Sequence, residues 1–181
     1  METLESERFV LRPFVEEDCS DMFEYAQNPI VGPMAGWKPH DSIDESLKII
    51  RMFIENDRDW AIVDKITNKV IGSLGLYNDR KRDYEDAKMI GYALSENYWG
   101  KGIVPEAVKM VLKFAFEKLD TVLVSVSHFP FNKQSKRVIE KCGFTYEGIL
   151  RKSFTRFDGM HLDEVCYSIT KDEYDALYKP F

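Results

Sequence analysis

The sequence predicts a single α+β domain over residues 1–181, with its elements in the order β-α-α-β-β-β-α-β-α-β-β. Three observations support this. Apolar spacing switches repeatedly between a period of two and a helical period along the chain. The pair Asp158-Gly159, flanked by two extended stretches, is a strong hairpin cue. The 181 residues are 44% hydrophobic and show no internal repeat, linker or low-complexity stretch, which suits one domain with its own core.

The stretch "RFVLRPF" (8–14) alternates as a strand does, and "VEEDCSDMFEYA" then repeats apolar residues at Val15, Cys19, Met22, Phe23 and Ala26, the spacing of a helix. "NPIVGPMAGWKPH" (28–40) gathers prolines and glycines around Trp37 and reads as an irregular loop. Ser42 with Glu45 forms a capping box ahead of a second helix whose stripe is Ile43, Leu47, Ile50 and Ile54. Residues 60–78 hold two β-branched runs joined by "ITNK", a hairpin; 87–95 is the next strand, after a charged excursion. From Val104 a helical stripe runs through Ala107, Val108, Val111, Leu112, Ala115 and Leu119, with Pro105 in the first turn. "TVLVSVS" (121–127) is rich in β-branched residues without a polar alternation at its start, as in a strand buried on both faces. "NKQSKRVIEKCG" is a helix stopped by Gly143, and two strands around Asp158-Gly159 precede a terminal helix, "KDEYDALY".

The composition narrows the class. No 18-residue apolar run exists and "METLESERFV" has neither a basic start nor an apolar signal core, so the expectation is a cytoplasmic protein with no membrane partner. Cys19, Cys142 and Cys166 lie far apart inside apolar patterns, as reduced core thiols do. His40, His128 and His161 are scattered without ligand spacing, so no metal is expected. A net charge of −6 argues against a nucleic-acid partner and suits a cationic acceptor such as an amine.

"GYALSENYWGKGIVPEA" (91–107) leaves a strand, passes Gly100 and Gly102 and enters a helix. The first N–H groups of that helix lack partners within it, and bare glycines let an anion reach them, so a phosphate-bearing ligand is one reading. A glycine turn needed only for backbone geometry is the other. The spacing fits neither G-x-x-x-x-G-K-[ST] nor G-x-G-x-x-G. On the later helix, Asn132, Ser135 and Lys136 stand at i, i+3 and i+4, and Ser135 continues the inward stripe of Val138, Ile139 and Cys142. Asn132 is either a ligand contact or a helix cap, and Ser135 either reaches a ligand or only permits close packing.

Taken together, "NYWGKGIVPEA" and "NKQSKRVIEKCGF" resemble the acyl-CoA loop and the second signature block of the GCN5-related N-acetyltransferase (GNAT) superfamily, most closely its RimJ/RimL-like branch. The likeness extends over essentially the whole chain in element order. It implies a mixed, mostly antiparallel sheet, splayed at the strands 89–94 and 121–127 and flanked by helices, and acetyl-CoA as cosubstrate. By that resemblance the amides of Gly100, Lys101, Gly102 and Ile103 hold the pyrophosphate and Lys101 adds charge. Pantetheine then pairs with backbone near Tyr92 and Leu94, where a bulge would aim the Leu94 N–H at the thioester oxygen. Trp99 is assigned to core or cofactor-edge packing, Asn132 and Lys136 contact the cofactor arm, and Ser135 protonates the departing thiolate. Trp37 and Glu96 are assigned to the substrate side. Asn97 departs from the family's loop pattern, in which a longer polar residue is usual.

The resemblance leaves the general base unnamed. Met89 stands where some relatives have a glutamate, and Ser153 and Phe154 stand where others do; Glu96, His128, Glu147 and Asp163 are the remaining candidates. An α-amine of pKa about 7.8 needs roughly 1 kcal/mol to be neutral at pH 7, whereas a lysine-like amine needs about 4.6 kcal/mol. A missing base is therefore tolerable for a protein or peptide N-terminal α-amine, the expected acceptor. A small-molecule amine, polyamine or antibiotic, is the alternative, and a non-catalytic acyl-CoA sensor is the alternative of another class. A homodimer through the final hairpin is left open.

Overall fold

The computed structural model describes residues 1–179. Pro180 and Phe181, the last residues of the expected domain, lie outside the described residues. The strands are β1 (Leu4–Glu5), β2 (Phe9–Pro13), β3 (Asp59–Asp64), β4 (Val70–Asn78), β5 (Ala87–Leu94), β6 (Leu123–His128), β7 (Thr145–Thr155) and β8 (His161–Thr170). The helices are α1 (Cys19–Ala26), α2 (Val31–Ala35), α3 (Ile43–Asn56), α4 (Ile103–Lys118), α5 (Lys133–Lys141) and α6 (Lys171–Tyr178). The sheet order is β1-β2-β3-β4-β5-β6-β8-β7. The pair β5–β6 is parallel, and the pairs β1–β2, β2–β3, β3–β4, β6–β8 and β7–β8 are antiparallel. A parallel pair needs a crossover, and α4 supplies it. This is the mixed, mostly antiparallel α+β sheet that the sequence predicts.

Contacts gather into two compact units, the first made of Met1–Gly75 and Tyr92–Ile103. Its core packs Phe14, Met22, Tyr25, Ile50, Ala61 and Val70, with Trp37, Phe53 and Trp99 against them. Two expectations are corrected here. The stretch read as an irregular loop winds in its middle into α2, which Gly36 ends at φ 96 by donating its N–H to Gly32. Ser42 caps α3 as expected, accepting from Glu45 N, but the inward side of that helix is Ser46, Ile49, Ile50 and Phe53. Ile43 and Ile54 are exposed. Ser46 Oγ lies 2.8 Å from the His40 ring and Phe53 packs on Phe14 at 5.3 Å, and these contacts turn the helix by part of a turn from the predicted phase.

The second unit comprises Leu76–Gly91 and the chain from Val104 onward. In α4 the residues Ala107, Val108, Val111, Leu112 and Ala115 are each at most 1% exposed, as the stripe predicts. Leu119 falls past the helix end and is exposed, which shortens the stripe. Along β6, Val124, Ser125 and Val126 are buried in succession, so both faces are covered. The register of β5 with β6 covers only Ala87–Met89 against Leu123–Ser125, although β6 continues to His128. In the last hairpin Gly159 takes φ 81 and donates its N–H to Arg156 at 2.9 Å, so the reversal spans four residues with Gly159 at the left-handed position.

Candidate active site

In the first unit, β5 ends against β4 with no space to spare. A Cβ on Gly72 would lie 2.4 Å from the Ala93 carbonyl oxygen and 3.1 Å from Leu94 Cα, so only glycine lets the two backbones approach this closely. Ser95 N–H donates to Ile71 at 2.8 Å, and the Trp99 indole N–H donates to the Leu94 carbonyl at 2.8 Å. Trp99 therefore fixes the end of β5 while its ring packs on the core. Tyr92 is half-buried on the same strand and Leu94 is buried.

A single 3-10 turn, Glu96–Tyr98, leads to Gly100 at φ 74 and Gly102 at φ 76, and α4 begins at the next residue, Ile103. A Cβ on Gly100 would meet nothing within 4 Å, and one on Gly102 only the tip of Arg8 at 3.9 Å. A side chain at either position would thus meet almost nothing, at the start of a 16-residue helix and beside a guanidinium. This donor set fits a diphosphate. Arg8 donates to the Lys101 carbonyl at 2.8 Å and so holds the loop from β2's side of the chain. Sequence reasoning missed Arg8, because nothing local marks a residue that acts across such a separation. Lys101 places its ammonium 4.8 Å from the centre of the Tyr98 ring. The Ile103 side chain is buried and anchors the first turn of α4.

The two substrate-side residues also lie in this unit. Glu96 is exposed and accepts from the Asn28 amide at 2.9 Å. Trp37 is half-buried against the core, so close to Gly32 that a Cβ there would fall 2.6 Å from the indole.

In the second unit, the Asn132 side chain caps α5 by accepting from Ser135 N–H at 3.0 Å. Three residues of the predicted inward stripe are buried, Ser135 at 9% exposed, Ile139 at 1% and Cys142 at 0%, and the fourth, Val138, is half-buried. Burial pushes the Cys142 thiol up to about 11, so it stays neutral. Lys136 is exposed and pairs with Glu140 at 3.6 Å, and both help line a cavity of about 540 Å³ with His128, Tyr146 and Tyr167. The His128 Nδ1 lies 2.8 Å from the Phe129 carbonyl, which can only accept, so Nδ1 carries the proton.

The carboxylates considered as bases differ sharply in their surroundings. Glu147 takes Arg82 and the Ser168 hydroxyl, the latter at 2.8 Å. Asp163 accepts from Lys152 N–H at 2.9 Å on the exposed hairpin. Glu164, which sequence reasoning passed over, has a side chain only 13% exposed. Its Oε1 receives Lys81 Nζ at 2.8 Å and Ser127 Oγ at 2.7 Å, and its Oε2 receives Ser153 Oγ at 2.8 Å. Burial raises the pKa of this carboxyl, but the bonds from Lys81, Ser127 and Ser153, with the charge of Lys81, bring it below the ordinary value.

Comparison with known proteins fixes the family. The model of the acetyltransferase (GNAT) domain matches residues 8–145, and the chain belongs to that family. It is 30% identical over 180 residues to the uncharacterized N-acetyltransferase p20 of Bacillus licheniformis, covering 96% of this chain and 99% of p20. Ribosomal-protein-S5-alanine acetyltransferase from Vibrio fischeri superposes with a TM-score of 0.78 at 24% identity, over 96% of this chain and 99% of that one. The microcin C7 self-immunity acetyltransferase MccE, solved with acetyl-CoA and AMP, superposes with a TM-score of 0.78 at 21% identity, over 91% and 93% of the two chains. The protein is an acetyltransferase, and GNAT enzymes use acetyl-CoA.

Proposed function

We propose that this acetyltransferase moves the acetyl group of acetyl-CoA to an N-terminal α-amine of a protein or peptide, by direct attack of the amine on the thioester. One observation carries the cosubstrate assignment: the room that a Cβ would find at Gly100 and Gly102, ahead of the first turn of α4 and with the Arg8 guanidinium 3.9 Å from the Gly102 Cβ position, suits the approach of a pyrophosphate. In this reading Lys101 adds charge at the loop rim and Trp99 holds the end of β5, so that Tyr92 and Leu94 present main-chain groups to the pantetheine arm. The Leu94 N–H stabilises the oxyanion formed on attack, an effect worth about 3 kcal/mol. Asn132 orders the start of α5, where Ser135 stands inward to protonate the leaving thiolate, and Lys136 contributes charge on the solvent side. Trp37 and Glu96 belong to the wall that receives the acceptor. The whole described chain acts as one N-acetyltransferase module.

Two considerations favour the α-amine. The net charge of −6 attracts a cation, and an α-amine loses its proton at far lower cost than a lysine-like amine does. The likeness to an acetyltransferase named for the alanine of a ribosomal protein points the same way. A panel of peptides, a polyamine and an aminoglycoside, each incubated with acetyl-CoA while free thiol is followed, tests the reading. The expected result is fastest release with a peptide N-terminus; much faster acetylation of the polyamine or aminoglycoside would overturn it.

A further inference from the structure

Glu164 is a largely enclosed carboxylate held at both oxygens by neutral hydroxyls, with Lys81 as its ion partner among the described residues. Ser127 stands two residues beyond Ser125, where the β5–β6 register ends, so the carboxylate is seated where those strands part. The Ser153 hydroxyl donates to Glu164 from the neighbouring strand. Lys81 comes from outside the sheet, on the charged segment between β4 and β5, and its ammonium also lies 3.7 Å from the Cys166 sulfur.

We propose that Glu164 is the group that receives the acceptor amine and takes its proton, with the Lys81 ammonium standing in the free protein where the substrate's ammonium stands in the complex. The inference rests on the reading that the chain acetylates an amine. When the substrate cation displaces Lys81, the hydroxyls of Ser127 and Ser153 keep both oxygens bonded, so the exchange trades one ammonium for another at little cost. The ammonium gives one proton to Glu164, which passes it to solvent. The freed lone pair forms the N–C bond and, as the C–S bond breaks, the second nitrogen proton goes to the thiolate sulfur. The products are amide, thiol and one solvent proton, in balance with the ammonium and thioester consumed.

The charged and titratable groups around this carboxylate are few among the described residues. Lys81 faces it from the β4–β5 segment, and the Cys166 thiol, kept neutral by burial, from its own strand. Nearby, Glu147 on β7 is tied to Arg82, which also bonds Asp79. Because the substrate's ammonium takes the place of Lys81, the carboxylate keeps a cation beside it until that cation gives up its proton, and the transfer leaves both groups neutral.

The test is kcat/KM for the best acceptor from pH 6 to pH 10, with acetyl-CoA affinity measured separately. Glu164→Gln, which keeps the shape and lets its amide nitrogen donate to Ser153 Oγ where the carboxylate accepted, is expected to lose about 100-fold at pH 7 and to recover to within about 5-fold above the amine's own pKa, with acetyl-CoA affinity unchanged. A loss below about 3-fold at pH 7, or the same loss at every pH, would overturn the proposal. Lys81→Met, at an exposed residue, is expected to lower the KM for the amine several-fold, and an unchanged KM in a variant that melts as the parent does would also overturn it. Failure of the acetyltransferase reading is distinguishable, because the unaltered chain would then bind acetyl-CoA and release no thiol with any amine.

Discussion

The contact between Gly72 and the end of β5 ties stability to chemistry most directly. In Gly72→Ala the new methyl would sit 2.4 Å from the Ala93 carbonyl oxygen, about 1 Å short of ordinary contact. The opposing atoms are backbone, and the Trp99 and Ser95 bonds pin them, so the strand end itself has to move. Overpacking of this kind costs about 1–3 kcal/mol, and at about 2–4 °C per kcal/mol for a chain of this size the melting temperature should fall by about 4–8 °C for a 2 kcal/mol loss. The same shift carries the Leu94 N–H out of position. A displacement of about 1 Å at a reacting centre costs on the order of 100-fold in rate. The expected result is a kcat lower by about two decades with acetyl-CoA affinity kept within a few-fold, because the loop at Gly100–Ile103 is untouched. Stability is read by thermal melting, kcat by thiol release, and affinity by calorimetry. Loss of stability with kcat unchanged would refute the placement of Leu94 at the reacting carbonyl.

Three further outcomes are expected. Gly102→Glu should abolish acetyl-CoA binding, since φ 76 strains any side chain and the carboxylate repels the phosphates; unaltered affinity by calorimetry would refute the loop assignment. Ser135→Ala should lower kcat more than it weakens acetyl-CoA binding, and equal losses would reduce Ser135 to a packing residue. The buried Asp79 carboxyl is raised by burial but drawn net below its ordinary value by the Lys81 amide, the Ser125 hydroxyl and Arg82. A depressed folded-state value contributes stability that is present above the unfolded value, about 3.9, and is lost as pH falls through the folded one. Urea midpoints at pH 7 and pH 3 should therefore converge in Asp79→Asn more than in the parent, and an identical drop in both would count against the assignment.

What the sequence made legible depends on how local the cause was. The helix stripe of α4, the inward Ser135-Ile139-Cys142 face and the glycine pair at 100 and 102 were readable because spacing along one element decides them. The phase of α3 was not, because Ile50 belongs to both possible stripes and the choice was made by His40 and Phe14, each elsewhere in the chain. Arg8 was invisible for the same reason: its role at the loop exists only after β2 is placed.

The missing base shows this limit most clearly. Along a single strand the corresponding positions hold Met89, or Ser153 and Phe154, and none of these is a carboxylate. The register pairs Leu150 with Glu164 and Phe154 with Leu162, so β7 spends Arg151, Lys152 and Ser153 opposite the single residue Asp163. Lys152 takes φ 53 to make that bulge, its N–H held by Asp163, and the extra length turns the Ser153 hydroxyl onto the neighbouring carboxylate. A lysine is not a residue whose presence announces a left-handed turn, so nothing in the string marked the bulge. A carboxylate that one strand lacks can be supplied by the strand beside it, and only the pairing reveals the substitution. Lys152→Gly tests this link: it relieves the strained φ without removing the bulge, and should stabilise the hairpin by about 1 kcal/mol while leaving the pH profile of turnover unchanged. A pH profile altered as in Glu164→Gln would mean that the lysine side chain, rather than the bulge, sets the carboxylate's place.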